Sequence, residues 1–312
     1  MSTNKSSIIG TIIVMGATLA LHDLTAQETT RHILRSSRLS RNFVYSPRKS
    51  GTTRIEINNK TQPSSKKPSS KKPSSSLSSG DARIDLMVVY TPGAAKMFGG
   101  ERGIKARINV AVSRSNRVFS DSEIKAHLNL VHAGQVNYTS EGKMSSDLYN
   151  MSFRKTELKK QVAELRKQYK ADLVTLVTGK APGRVAGMGF LLNRKSPAPR
   201  LGFNVVGGRA LYYTVLAHEC GHNLGCQHAK GDPGSGKSMD NHGYGWRFNA
   251  SDGRKTRQYR TIMAYAPGSR IGHFSNPNVK YNGVPTGIAN QADNVRVINE
   301  TAAIVARNSE QR

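Results

Sequence analysis

Residues 218–228 read His218-Glu219-Cys220-Gly221-His222-Asn223-Leu224-Gly225-Cys226-Gln227-His228. On an α-helix, residues four apart share one face, one turn apart. His218 and His222 can therefore point at a single metal ion. Glu219 stands beside the first of them, where a carboxylate reaches water at the metal without being a ligand. His228 follows ten residues after His218. On a continued straight helix it would lie about 15 Å along the axis and on another side. Gly225 removes that difficulty, because glycine readily takes the left-handed conformation that ends a helix. The chain can then turn back and deliver His228. Three neutral imidazoles with the fourth position open make a catalytic zinc site. The plain alternative is a helix that merely carries three histidines, and the placement of the break between the second and third argues against it.

The string H-E-x-x-H-x-x-G-x-x-H is followed by Thr261-Ile262-Met263-Ala264-Tyr265, a short apolar segment. Together they resemble the metzincin zinc endopeptidases, with the second segment as the Met-turn. Phe274-Ser275-Asn276-Pro277-Asn278-Val279, then Tyr281-Asn282-Gly283-Val284-Pro285-Thr286-Gly287 and Ala292-Asp293-Asn294, are similar to bacterial reprolysin-like peptidases. The peptidyl-Asp metalloendopeptidase group is among these. The resemblance spans residues 81–308 and is densest at the zinc motif. It implies His218, His222 and His228 as Zn2+ ligands and Met263 as an apolar floor beneath the metal. It implies Glu219 as the general base that takes a proton from zinc-activated water and passes it to the leaving amine. Tyr265, two residues after the methionine, is either a donor to the oxyanion or simple packing beside the Met-turn. Three departures stand out. Ala229 occupies the position where many reprolysin-like enzymes carry Asp, a cysteine-rich disulfide pattern is absent, and the Tyr265 placement is more like astacins and serralysins.

The rest of the folded part reads as mixed α/β, or α+β. Ile84 to Tyr90 is an apolar, β-branched strand, Ile124 to Val136 a second, Asp172 to Val177 a third and Gly202 to Val206 a further one. Between them, Ile104 to Phe119 reads as a helix with Ile104, Val110 and Val118 among its apolar positions. Phe153 to Tyr169 reads as a helix with Leu158, Val162, Leu165 and Tyr169 on one stripe. Strand–helix–strand–helix–strand implies right-handed crossovers and a largely parallel sheet. Ala186-Gly187-Met188-Gly189-Phe190 resembles the family's antiparallel edge strand above the cleft, whose free backbone groups can pair an extended peptide. Arg209 to Leu224 is expected as the zinc helix, 229–260 as loops, and Asp293 to Ala306 as a closing helix. The expectation is a metzincin-like catalytic domain over 81–312: a twisted, mostly parallel five-stranded sheet with an antiparallel edge strand, a zinc helix and a Met-turn.

The 312-residue chain carries 47 Lys+Arg against 20 Asp+Glu, a net charge of +27. The excess is not confined to a tail: from Asp81 onward there are 34 basic and 17 acidic residues. Such a field attracts polyanions. No nucleic-acid motif accompanies it, so specific nucleic-acid binding is not expected; a solvated basic surface or an acidic substrate accounts for the charge. Residues 1–26 read as a signal peptide, with Lys5 as the positive start and Ile8 to Leu21 as the apolar core. That core is shorter than the about 20 residues a spanning helix needs, so export and cleavage are expected, with no stable membrane anchor. Residues 27–80 are basic and low in apolar residues. They include the repeat Pro63-Ser64-Ser65-Lys66-Lys67 and Pro68-Ser69-Ser70-Lys71-Lys72. This reads as a disordered basic propeptide or linker, either a tether to anionic polymers or a plain spacer.

Cys220 and Cys226 are the two cysteines. They can be extra ligands, a disulfide or small buried apolar residues; Cys220 faces away from His218 on the helix, which favours packing. His242 and His273 read as loop or surface residues, since three ligands are already supplied. The functional expectation is a secreted, monomeric zinc endopeptidase acting on proteins or glycoproteins, in the medium, the periplasm or at the cell surface. A secreted basic protein that binds anionic polymers on a peptidase scaffold is the alternative. After the Met-turn, Arg270 is the charged residue before Phe274. With Arg184, it suggests a cleft that favours acidic residues, since a guanidinium binds carboxylate as a fork.

Overall fold

The computed structural model of the chain describes residues 12–16, 80–179, 185–193 and 195–310. Most of the expected signal peptide and linker, and Arg184, lie outside the described residues. The main sheet is built from β1 (Ile12–Gly16), β2 (Ala82–Tyr90), β3 (Ala126–Gln135), β4 (Leu173–Thr178), β5 (Val185–Phe190) and β6 (Phe203–Gly207), in the order β1-β5-β6-β4-β2-β3. From residue 80 onward it is five-stranded. β6, β4, β2 and β3 run parallel and β5 is antiparallel to β6. Ile12–Gly16 adds a sixth strand on the outer side of β5, antiparallel, with Ile12 opposite Phe190 and Gly16 opposite Val185. The unpaired backbone groups of an edge strand invite such a partner.

Every residue of Leu173–Thr178 is buried, as expected of a parallel strand covered on both faces. Helices α1 (Pro92–Met97), α2 (Glu101–Asp121), α3 (Met144–Ser152) and α4 (Glu157–Gln168) make the crossovers, and α5 (Val215–Asn223) and α6 (Asn294–Val305) follow. Their starts are legible. Thr91 Oγ1 accepts from Ala94 N at 3.2 Å with Pro92 in the first turn, Thr156 Oγ1 accepts from Lys159 N at 3.1 Å, and Asp293 caps α6 through Arg296 N at 3.0 Å. Among the described residues, no helix is long and apolar enough to cross a membrane.

Four expectations need correction. The helix expected over 153–169 is α4 alone, with a separate α3 before it; Phe153 sits at the break, where the Thr156 cap restarts the helix. Val110 is 45% exposed rather than part of the core, because the buried stripe of α2 runs through Ile104, Ile108, Ala111, Ser115 and Val118. The zinc helix begins at Val215, not Arg209; Gly208–Tyr212 forms a 3-10 turn first. There the Arg114 guanidinium donates to the Tyr212 carbonyl at 2.6 Å. The segment 229–260 contains a hairpin, β7 (Arg247–Ser251) and β8 (Thr256–Arg260), which buries Phe248, Ala250 and Tyr259 with Ile271 in a second small core.

Candidate metal centre

All nine residues of α5 are buried. The helix lies against β5, and two glycines permit that approach. A Cβ on Gly189 would lie 3.2 Å from the Glu219 carbonyl oxygen, and one on Gly187 would overlap Glu219 Oε1 and lie 2.8 Å from its Cδ. Asn223, at the end of α5, reaches the carbonyls of Phe190, Leu201 and Phe203 with Nδ2 at 2.9–3.0 Å and accepts from Asn204 Nδ2 at 2.8 Å. One buried amide thus ties the helix to β5 and β6.

The helix ends as expected. Gly225 has φ +93°, Gly225 N donates to His222 O at 2.9 Å, and Cys226 N donates to Gly221 O at 2.8 Å. Gln227 then bonds the Gly243–Gly245 backbone in both directions, N to Gly243 O at 2.7 Å and O from Gly245 N at 3.1 Å. That aims His228 back at the helix. The three Nε2 atoms converge: His218 to His228 at 3.2 Å and His222 to His228 at 3.1 Å.

Each Nδ1 faces a backbone carbonyl. His218 Nδ1 donates to Ile262 O at 2.8 Å, His222 Nδ1 to Cys226 O at 2.8 Å and His228 Nδ1 to Pro233 O at 3.3 Å. With the protons there, all three Nε2 atoms present lone pairs. Lone pairs 3.1–3.2 Å apart, with all three ligand atoms within 4.8 Å of one another, repel unless a cation lies among them, so the donor set fits a metal. It is the one His/Cys/Asp/Glu cluster of that geometry among the described residues. Burial also holds the imidazoles neutral, the form that ligates. It pushes His218 well below the usual imidazole value, aided by its two neighbours, His222 down to about 4 and His228 to about 2. Nitrogen-only, three-ligand coordination with room for a fourth is the pattern of catalytic zinc.

Met263 is fully buried and packs beneath the helix: a Cβ on Gly221 would lie 3.0 Å from its sulfur and 2.9 Å from Phe274. Glu219 is fully buried, and neither carboxylate oxygen has a hydrogen-bond partner among the described residues. Burial pushes its carboxyl well above the usual range, opposed by the charge of Arg270. Tyr265 packs against the ligands, its ring tilted against His228 at 4.2 Å and near-parallel to His218 at 6.3 Å between centroids. Its phenol is held well above the usual value by burial first, then by the negative charges of Glu219 and Asp232. Arg270, in the two-residue β9 (Ser269–Arg270) beside β8, is half-buried, and its charge acts on His218, Glu219 and Tyr265.

Cys220 and Cys226 are free thiols, both fully buried, in keeping with the packing reading. His242 and His273 lie outside the His218–His222–His228 cluster, and His242 is buried rather than exposed. Sequence reading missed Asn204, Asn223, Asp232 and Arg247. Asn223, Asp232 and Arg247 act on backbone atoms distant in the chain, and Asn204 on the side chains of Asn223 and Cys220, which leaves no local spacing signal.

The site has known relatives. Residues 81–292 match the model of the metallo-peptidase family M12B reprolysin-like. A peptidyl-Asp metalloendopeptidase of Stenotrophomonas maltophilia strain R551-3 is 32% identical over 236 residues, covering 73% of this chain and 54% of that protein. One from Xanthomonas campestris pv. campestris is 32% identical over 235 residues, covering 73% and 52%. The chain spans about half the length of these curated relatives. A solved structure titled "Structure of a chaperone-substrate complex" shares the fold, with a TM-score of 0.56 at 21% identity over 73% of this chain and 36% of that one. The mixed sheet with its antiparallel β5 is the architecture of a metzincin-like peptidase domain, and the family match covers more than half of the sequence. The chain belongs to the M12B reprolysin-like metallopeptidase family.

Proposed function

We propose that this chain is an exported zinc endopeptidase that hydrolyses peptide bonds with Glu219 as general base and favours acidic residues near the scissile bond. The observation that carries the reading is the convergence of three neutral, carbonyl-anchored imidazoles beside a buried carboxylate. His218, His222 and His228 would hold the zinc. When bound, it supplies a Lewis acid for the scissile carbonyl and lowers the pKa of water toward about 7. Glu219 accepts the proton of the attacking water and delivers it to the leaving amine; its burial without partners keeps the carboxylate basic enough for both transfers. Tyr265 donates its phenolic proton toward the developing oxyanion. The edge of β5 orients the substrate as an extended strand, a reading supported by the antiparallel pairing of Ile12–Gly16 along that edge. A labelled-peptide or casein assay with and without chelator tests the proposal: hydrolysis should vanish with chelator and return with zinc.

Glu219 depends on Gly187. Gly187→Ala puts a methyl where the carboxylate lies, and a reacting group misplaced by about 1 Å loses up to about 10²-fold in rate. We expect the variant to keep its zinc and lose roughly that factor in kcat. Wild-type kcat would show that Glu219 tolerates the displacement.

Acidic preference rests on Arg270 and on the names of the relatives. The half-buried guanidinium projects its charge onto the catalytic groups, and a charge-assisted bond to carboxylate contributes about 1.5–3 kcal/mol. Peptides differing only in Asp, Asn or Leu on the primed side should be cleaved in that order. Arg270→Ala should lower the Asp-to-Leu ratio of kcat/KM by about 10-fold or more. Equal or better cleavage of the Leu peptide, unchanged by Arg270→Ala, would remove this preference and leave the zinc chemistry standing.

Export is proposed from the signal-like residues 1–26, with trimming between Ala26 and Asp81 that frees the β5 edge. N-terminal sequencing of active protein from the medium should begin within that span. An intact Met1 on all active material would refute it.

A further inference from the structure

Position 229 is Ala and supplies no carboxylate to the centre, yet a buried carboxylate reaches it from three residues further on. Asp232, its side chain 5% exposed, accepts from Tyr265 N at 2.9 Å through Oδ2 and pairs through Oδ1 with Arg247 Nη2. Arg247 Nε in turn donates to Tyr265 O at 2.9 Å. One ion pair therefore grips both the N–H and the C=O of Tyr265. The neighbouring residue holds the third ligand: Pro233 O accepts from His228 Nδ1 at 3.3 Å. Arg260 secures the same loop on either side, taking Ala264 O at 2.9 Å and Gly268 O at 2.7 Å.

We infer that Asp232 and Arg247 form a positioning pair that fixes Tyr265 against His228 and so sets where its phenol meets the developing oxyanion. The inference rests on the proposed role of Tyr265 and deepens it. A buried ion pair of this kind is a poor source of net stability, because desolvation offsets the attraction. Its use lies in geometry: the carboxylate and the guanidinium fork bind two backbone groups whose spacing fixes the orientation of the ring between them. Neither residue touches the metal ligands' Nε2 atoms or lies on the β5 edge, so neither is placed to bind the metal or the substrate.

The test is a double-mutant cycle of Asp232→Asn with Tyr265→Phe, reading kcat, KM and zinc content. Tyr265→Phe alone should lower kcat by about 10- to 10²-fold. Asp232→Asn alone should lower kcat by about 10-fold, with KM within about twofold and zinc content at the wild-type level. In the Tyr265→Phe background, Asp232→Asn should change kcat less than about twofold, because the group it positions is gone. A merely structural Asp232 would lower kcat equally in both backgrounds. Arg247→Lys provides a second route if Asp232→Asn does not fold. It keeps the charge opposite Asp232 but lacks the planar fork whose Nε and Nη2 reach Tyr265 O and Asp232 separately, and the same non-additive loss of kcat is expected. Two results overturn the positioning role while leaving Tyr265 as a donor: an unchanged kcat in Asp232→Asn, or equal losses in both backgrounds. An unchanged kcat in Tyr265→Phe overturns the Tyr265 reading, and the positioning role with it.

Discussion

Replacing Glu219 with alanine is expected to lower kcat by about 10²–10⁴-fold, the usual contribution of a positioned general base, while zinc content and fold stay as in the wild type. Three observations lead here. Glu219 is next to His218 in sequence but contributes no atom to the ligand cluster, so its removal leaves the donor set whole. Its carboxylate is fully buried between α5 and β5 with both oxygens unpartnered among the described residues, an arrangement that destabilises the folded state rather than supporting it. A buried, unpartnered acid is the pattern of groups kept for chemistry rather than stability, which is the basis of the proposed role of Glu219. Alanine at 219 should therefore give a protein at least as heat-stable as the wild type, measured by its melting temperature, and nearly inert toward peptide. A rate near that of the wild type would show that another group takes the proton.

His222→Ala is expected to act one step earlier and more severely. It removes one of three nitrogens, and the two that remain cannot hold zinc with the geometry of a catalytic site. Zinc content should fall well below one equivalent, and hydrolysis should fall to background, with no recovery on adding zinc. The contrast with the Glu219 variant is diagnostic, since one loses the base and keeps the metal while the other loses both. The imidazole also anchors the chain reversal, with Nδ1 bonded to Cys226 O, so some loss of melting temperature should accompany the substitution. A His222→Ala protein that still binds one zinc and turns over peptide would contradict the ligand assignment.

The metal centre was legible because its determinants are local. The four-residue step from His218 to His222, the Gly225 break and the return of His228 are properties of eleven consecutive residues, and the structure realises each. The sheet was legible for a similar reason: Leu173–Thr178 and Phe203–Gly207 are short, apolar and buried on both faces. What escaped depended on distant partners. Thr256–Arg260 reads Thr-Arg-Gln-Tyr-Arg, and only Tyr259 faces a core, so no alternation marked it as a strand. The 3-10 turn before α5 bonds through its Tyr212 carbonyl to Arg114, about a hundred residues upstream in the chain, a partner no local pattern shows. Asp232 and Arg247 hold Tyr265 through its backbone, which leaves no imprint on the side chains around it. The α3 helix was a different kind of miss, because Met144, Leu148 and Met151 carry a helical stripe that the longer, lysine-rich α4 overshadowed.

The most direct measurement is the zinc content of purified, active protein, taken together with its dependence on chelator. One zinc per chain, hydrolysis lost on chelation and recovered on adding back a single equivalent, is the predicted result. Less than about half an equivalent, with no gain in metal or activity on reconstitution, would contradict the assignment of His218, His222 and His228 as the catalytic zinc site.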